Sequence, residues 1–264
     1  MNTMKTFWGL VLIGLGSAFL LDQYGILALD FGLLWPLFLI ALGVAVLIGG
    51  RWGTAAATSA VSIPLEDSQE ANIHIEHGAG TIRISGKAGK GELMAGEFRA
   101  MRHSIKRSGS SAQLSLKNSM FEEGWWLFPW NWGGQGLAWD FSLNPDIPLR
   151  IKLESGANSN ELDLRELQVT ELELETGASS TKVILPEKAG HTRFDASFGA
   201  ASLDVRVPEG VAADIRLESG LGSVNIDESR FPRSGKRYTS PDYANAKNKV
   251  DIRIETGVSS VRIY

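Results

Sequence analysis

The stretch Leu172-Glu-Leu-Glu-Thr-Gly-Ala-Ser-Ser-Thr-Lys-Val-Ile184 decides how this chain is read. Two alternating apolar positions lead into Glu-Thr-Gly. A small apolar residue and a serine follow, and alternation resumes toward Val183. The pattern recurs around Gly78, Gly156, Gly177, Gly199, Gly220 and Gly257, with the middle four centres about 21 residues apart. A period of that size marks a solenoid, in which a repeat buries its apolar face only against its neighbours.

The register holds position by position. Five residues before each glycine stand Ile73, Ile151, Leu172, Phe194, Ile215 and Ile252, and three before stand Ile75, Leu153, Leu174, Ala196, Leu217 and Ile254. Six after stand Ile84, Leu162, Val183, Val205, Ile226 and Ile263. The intervening positions of the first arm are mostly charged, as at Lys152, Glu173, Asp195, Arg216 and Arg253. Alternation of period two means strands with one buried face. Each repeat is therefore expected to supply two short strands joined at a glycine bend. Glycine either turns there without a Cβ penalty or lets neighbouring coils approach. The residues just after it (Ala79, Ala157, Ala178, Ala200, Leu221 and Val258) are expected to plug the corner. The predicted fold of residues 69–264 is an all-β solenoid of stacked coils, preceded by a linker over 54–68.

Two residues before the glycines stand Glu76, Glu154, Glu175, Glu218 and Glu255, with Ser197 interrupting the series. Coils stacked in line would set these into a ladder spaced by about 4.8 Å. Lys152, Arg216 and Arg253 share their face, so a solvated, charge-balanced surface is expected in preference to a column of cation sites.

Residues 1–53 read as a transmembrane helical hairpin. Apolar runs extend from Phe7 to Leu21 and from Phe31 to Gly50, and the second has the roughly 20 residues a bilayer requires. Trp8, Trp35 and Trp52 lie at run ends, where amphipathic rings favour the interface. Ala41, Ala45 and Gly49 form a small-residue stripe, matched by Gly14 and Ala18, along which two helices can pack closely. A cleaved signal peptide is the competing reading, but no clear Ala-x-Ala site follows the first run. Lys5 and Arg51 flank the hairpin, while Asp22 and Asp30 lie between the runs. Positive-inside counting then places both termini in the cytoplasm.

Phe7-Trp-Gly-Leu-Val-Leu-Ile-Gly-Leu-Gly and Leu34-Trp-Pro-Leu-Phe-Leu-Ile-Ala-Leu-Gly resemble the membrane region of LiaI- and LiaF-type bacterial envelope-stress proteins. Leu217-Glu-Ser-Gly-Leu-Gly-Ser-Val and Ile254-Glu-Thr-Gly-Val-Ser-Ser-Val resemble the toast-rack β-domain that accompanies such regions. The resemblance implies a bacterial membrane protein that modulates a sensor-kinase pathway answering cell-wall damage. LiaF-type proteins usually carry more membrane spans than the pair read here, which bears on the kinase role.

The chemistry that is missing narrows the function. The chain of 264 residues carries a net charge of -4, which argues against a nucleic-acid partner. It has no cysteine, which excludes disulfides, thiol catalysis and Cys-ligated zinc. His74 and His77, three apart in a strand, point to opposite faces and cannot share a metal. No P-loop and no Gly-x-Ser-x-Gly elbow occurs, so no cofactor and no enzyme activity are expected.

Two segments break the repeat. Residues 120–141 hold Trp125, Trp126, Trp130, Trp132 and Trp139. Trp139, Phe141 and Leu143 alternate and are expected to form a strand whose rings cap the core. The other four tryptophans read as a loop, either folded over an open solenoid end, resting on the membrane, or serving as a protein-binding anchor. Lys87, Lys90, Arg99, Arg102, His103, Lys106 and Arg107 make the region after the first repeat basic, as a solvated hairpin or a contact with anionic lipid. The expected protein is a membrane-anchored regulator or scaffold whose partners are the bilayer and a sensor kinase or other envelope protein. An outward-facing solenoid that binds cell-wall polymer or glycan is the alternative, and a solenoid enzyme acting on glycans ranks last.

Overall fold

The computed structural model describes residues 58–118 and 137–264. The expected transmembrane hairpin, with its Gly14, Ala18, Ala41, Ala45 and Gly49 stripe, lies outside them, as does the loop holding Trp125, Trp126, Trp130 and Trp132. The described residues are all-β. In chain order the strands are β1 (Thr58–Pro64), β2 (Glu70–Ser85), β3 (Glu92–Arg99), β4 (Met101–Ser108), β5 (Ser111–Asn118), β6 (Leu137–Leu143), β7 (Pro148–Asp163), β8 (Gln168–Ile184), β9 (His191–Arg206), β10 (Ala212–Ile226), β11 (Arg233–Ser234), β12 (Arg237–Thr239) and β13 (Lys249–Ile263).

The long strands cannot be straight. The 16 residues of β7 would extend about 53 Å, yet β8 starts beside the beginning of β7, with Gln168 paired to Pro148. Residues 164–167 let Asp163 and Gln168 lie at most about 18 Å apart, so β7 must fold back on itself near Gly156. Each repeat is thus one strand bent into two facing arms. Leu149, Ile151 and Leu153 point inward from the first arm of β7, and Asn158, Asn160 and Leu162 from the second. Leu164 and Leu167 fill the turn that closes the coil. The result is a solenoid with a continuous apolar core.

The coils pair in parallel and in register. Ile73, Ile151, Leu172, Phe194, Ile252 and Ile215 form one row across β2, β7, β8, β9, β13 and β10. Strict in-line stacking fails at the end of the chain. The C-terminal strand β13 lies between β9 and β10, so β10 is the terminal coil. The β11–β12 hairpin explains this order, since β12 pairs with Asp214–Arg216 on the outer edge of β10. The slot left for the last repeat is the one between β9 and β10.

The bend also differs in detail from the expectation. Ala79, Ala157, Ala178, Ala200, Leu221 and Val258 are exposed and do not plug the corner. Alternation carries the residue before the glycine inward instead, as at His77, Thr176, Phe198 and Thr256. The glycine and its successor then face out. The bend glycines Gly156, Gly177, Gly199, Gly220 and Gly257 are not among the left-handed positions, so a turn conformation is not what selects them. Close approach is: a Cβ on Gly177 would meet the carbonyl oxygen of Gly156 at 3.0 Å, and one on Gly199 that of Gly177 at 2.9 Å.

The N-terminal end is closed by strands off the repeat. Residues 58–64, expected within the linker, form β1 and pair antiparallel with β3, because Ile63 buries its side chain in the core. Trp139, Phe141 and Leu143 of β6 are buried, as the alternation predicts. Phe98 of β3 stacks on Phe141 with ring centroids 5.2 Å apart, and the Trp139 indole Nε1 donates to the Arg99 carbonyl at 3.0 Å. The basic region is not a single hairpin. β3 joins β1 and β6, whereas β4 turns away at Ala100 (φ 51°) to pair with β5 against the first arm of β2.

Candidate interaction surfaces

The outer side of the glycine column carries the glutamates two positions before each bend. Strand pairing sets them in the order Glu76, Glu154, Glu175, Ser197, Glu255, Glu218. A groove of about 880 Å³ runs along the first three, lined also by Lys117, Thr176 and Gly177. Side chains of Lys152, Lys117 and His74 pair with this part. Lys152 Nζ reaches Glu175 at 2.8 Å, and Glu154 and Glu173 at 3.2 Å each. Lys117 reaches Glu76 at 2.7 Å and His74 reaches Glu154 at 3.2 Å. Hydrogen bonding to Glu175, then to Glu173 and Glu154, holds the Lys152 ammonium above the ordinary lysine range. Lys152 in turn holds the Glu175 carboxyl below the ordinary carboxylate value. This is the solvated, ion-paired face that the spacing predicts, although Glu76, Glu154, Glu173 and Glu175 outnumber Lys117 and Lys152. Among the described residues no three His, Asp or Glu side chains are placed to hold a metal ion.

His74 and His77 face opposite ways, as strand alternation requires: His74 lies on the outer face and His77 is buried. The Asn158 amide nitrogen donates to His77 Nδ1 at 2.8 Å, and the ring meets Trp139 edge-on with centroids 4.6 Å apart. His77 Nε2 is buried without a hydrogen-bond partner. Burial pushes the imidazole below its ordinary value. From Asn158 a buried polar chain continues inside the bend. The Asn160 amide donates to Thr181 Oγ1 at 3.0 Å, Thr181 donates to Ser179 at 3.3 Å, and Thr176 donates to Ser179 at 2.8 Å. These bonds pair most of the interior polar atoms, while Asn158 Oδ1, like His77 Nε2, is buried without a hydrogen-bond partner.

The two ends of the stack differ in chemistry. On the N-terminal side the β4 edge presents exposed Arg102, His103, Lys106 and Arg107. Arg107 is engaged with Glu66 at 3.2 Å and with the Pro64 carbonyl at 2.8 Å. On the C-terminal side, Arg237 of β12 grips the buried Asp214 of β10, its second nitrogen donating to Oδ2 at 2.8 Å, and Thr239 adds a bond at 3.0 Å. This cover stops at Arg216. Beyond it Leu221 is 73% exposed, Val258 57% and Val224 38%.

Sequence reasoning missed that surface. Val224 shares its repeat position with the buried Leu203 and Val261, so it reads as core. It is exposed because, among the described residues, no coil lies beyond the second arm of β10. One signal was available: Leu221 and Val258 stand where the other coils carry Ala. Of the expected contact residues, the four loop tryptophans lie outside the described residues.

Two family models match the chain. One describes the LiaI-LiaF-like transmembrane region, over residues 6–47, and the other the N-terminal domain of toast_rack, DUF2154, over residues 53–206. Comparison with curated proteins gives no match. Among solved structures, a candidate cell adhesion protein from Clostridium sporogenes is similar, with a TM-score of 0.71 at 21% identity, covering 78% of this chain and 98% of that one. At that identity the likeness speaks for the fold alone. The toast_rack match takes in β1 through β9, more than half of the sequence, and the chain belongs to the toast-rack family, here joined to a LiaI-LiaF-like transmembrane region.

Proposed function

We propose that this protein is a membrane-anchored regulator or scaffold of the cell-envelope stress response that acts by binding and performs no catalysis. The observation that carries this reading is the union of the LiaI-LiaF-like transmembrane region with a toast-rack domain in one chain. The hairpin holds the solenoid at the membrane, on the cytoplasmic side given Lys5 and Arg51. There it docks a sensor kinase or another envelope protein and biases its activity by occupancy. Trp125, Trp126, Trp130 and Trp132 serve as a contact loop for lipid or partner.

Sidedness and signalling are the tests. A cysteine at Asp30 should react with an impermeant thiol reagent on intact cells, and one at Tyr264 should react only after lysis. Deleting the gene should change the output of an envelope-stress reporter under wall-active antibiotics. An unchanged reporter sinks the signalling role, and labelling at Tyr264 on intact cells sinks the cytoplasmic placement.

A second reading is an outward-facing solenoid that binds wall polymer. In its favour is a groove of about 510 Å³ lined by Asn72, His74, Gln113, Arg150 and Glu171, all able to hydrogen-bond sugar hydroxyls. Its lining holds no aromatic platform for a sugar ring, which ranks this reading second.

A further inference from the structure

We propose that the second arm of β10 is a homodimerisation edge, at which two copies of this chain pair antiparallel through residues 220–226. On one side this arm is hydrogen-bonded to β13, from Leu221 opposite Val258 to Ile226 opposite Ile263. On the other side, among the described residues, only β12 pairs with β10, and only at Asp214–Arg216. The backbone N–H and C=O groups of the second arm therefore face outward along one edge.

Exposed strand edges are ordinarily blunted by charge, proline or a bulge, because they otherwise template pairing. The other outer strands obey that rule. β4 carries Arg102, His103, Lys106 and Arg107, and β1 ends in Pro64. The run Ser219-Gly-Leu-Gly-Ser-Val-Asn-Ile226 carries neither charge nor proline. The large apolar side chains exposed on the described residues are Leu221, Val224, Val258 and Tyr264, and three of these cluster on this arm and its neighbour. The edge is thus apolar, unprotected and neutral.

Neutrality points to a second copy as the occupant. The chain is acidic overall, and Glu218 and Asp227 bracket the segment, yet no like charges face one another within the paired residues. Antiparallel pairing of a segment with itself is two-fold and closes, as homodimer interfaces do. Centred on Ser223, it sets Val224 opposite Gly222 of the second copy, so neither bulky side chain meets another. Ser223 faces its own symmetry mate. The inference does not depend on the signalling role.

The chain has no cysteine, which makes a direct test available. In the full-length protein in membranes, Ser223→Cys should form a covalent dimer on mild oxidation. Ser202→Cys should not, although Ser202 shares the repeat position through Ser260 and is exposed on an inner coil. Adding Val224→Glu places like charges across the axis and should cut the Ser223→Cys dimer by about tenfold or more. The unmodified full chain in detergent should be dimeric, and Val224→Glu alone monomeric. Equal crosslinking at positions 223 and 202, a monomeric full chain, or capture of a different protein by Ser223→Cys overturns the proposal. So does preferential crosslinking of Ser223→Cys to Ser62→Cys on β1, which would mean head-to-tail stacking.

Discussion

A Cβ placed on Gly156 would lie 2.7 Å from the carbonyl oxygen of Gly78 in the preceding coil, a backbone contact with no room to give. Gly156→Ala should therefore force the two coils apart and cost about 1–3 kcal/mol, the range for overpacking. Ser159→Ala, on the exposed face of the same arm, should be nearly neutral. Thermal unfolding of the purified variants checks the pair, and equal effects would contradict the stacked glycine column.

Leu203 and Val224 share one repeat position but not one environment, at 1% and 38% exposed. Leu203→Asp should bury an unpaired carboxylate and cost several kcal/mol. Val224→Asp should stay within about 0.5 kcal/mol in the monomer. Ile226, buried in the same arm, should behave like Leu203. Denaturant midpoints that rank Val224 with the other two would show that a further coil covers β10.

His77 makes stability depend on pH. Its folded value lies below the 6.5 of a free imidazole, chiefly through burial. The unfolded chain therefore binds more protons once the pH falls below about 6.5, and stability, full above that value, is lost as the pH drops toward the folded value. His77→Leu should flatten this slope even if it lowers stability overall. The carboxylate of Glu175, held down by Lys152, makes the same kind of contribution only at lower pH, below about 4.5. Melting temperatures measured from pH 8 to pH 5.5 separate the two.

The cover over β10 hangs on Asp214. Arg237→Met leaves that buried carboxylate with Thr239 and, at 3.7 Å, Arg216 as its remaining partners. Stability should fall, since the buried Asp214 carboxylate loses its main counter-charge while the exposed side of Arg237 is screened by water. Hydrogen exchange should show β12 and the first arm of β10 opening first. Protection unchanged in Ala212–Ile226 would mean that Arg237 contributes nothing to the closure.

The repeat fixed its own register. Ile73, Ile151, Leu172, Phe194, Ile215 and Ile252 align in the sequence by distance from a glycine and pair in one row of the solenoid, because period-two alternation around a constant bend admits one stacking that buries every apolar arm. Trp139, Phe141 and Leu143 were legible as a capping strand for the same reason. The ion pairing around Lys152 also followed from spacing, since side chains one row apart on a common face must meet. Three things were decided only by the tertiary structure. Residues 58–64 became strand because β3 offered an edge and the core offered a place for Ile63. The last repeat moved between β9 and β10 because the β11–β12 hairpin had taken the outer edge of β10, a competition that no local pattern records. That exchange of order left Val224 bare, since the burial of an inward-facing residue in a solenoid depends on whether another coil follows, and the sequence of a single repeat is the same in either case.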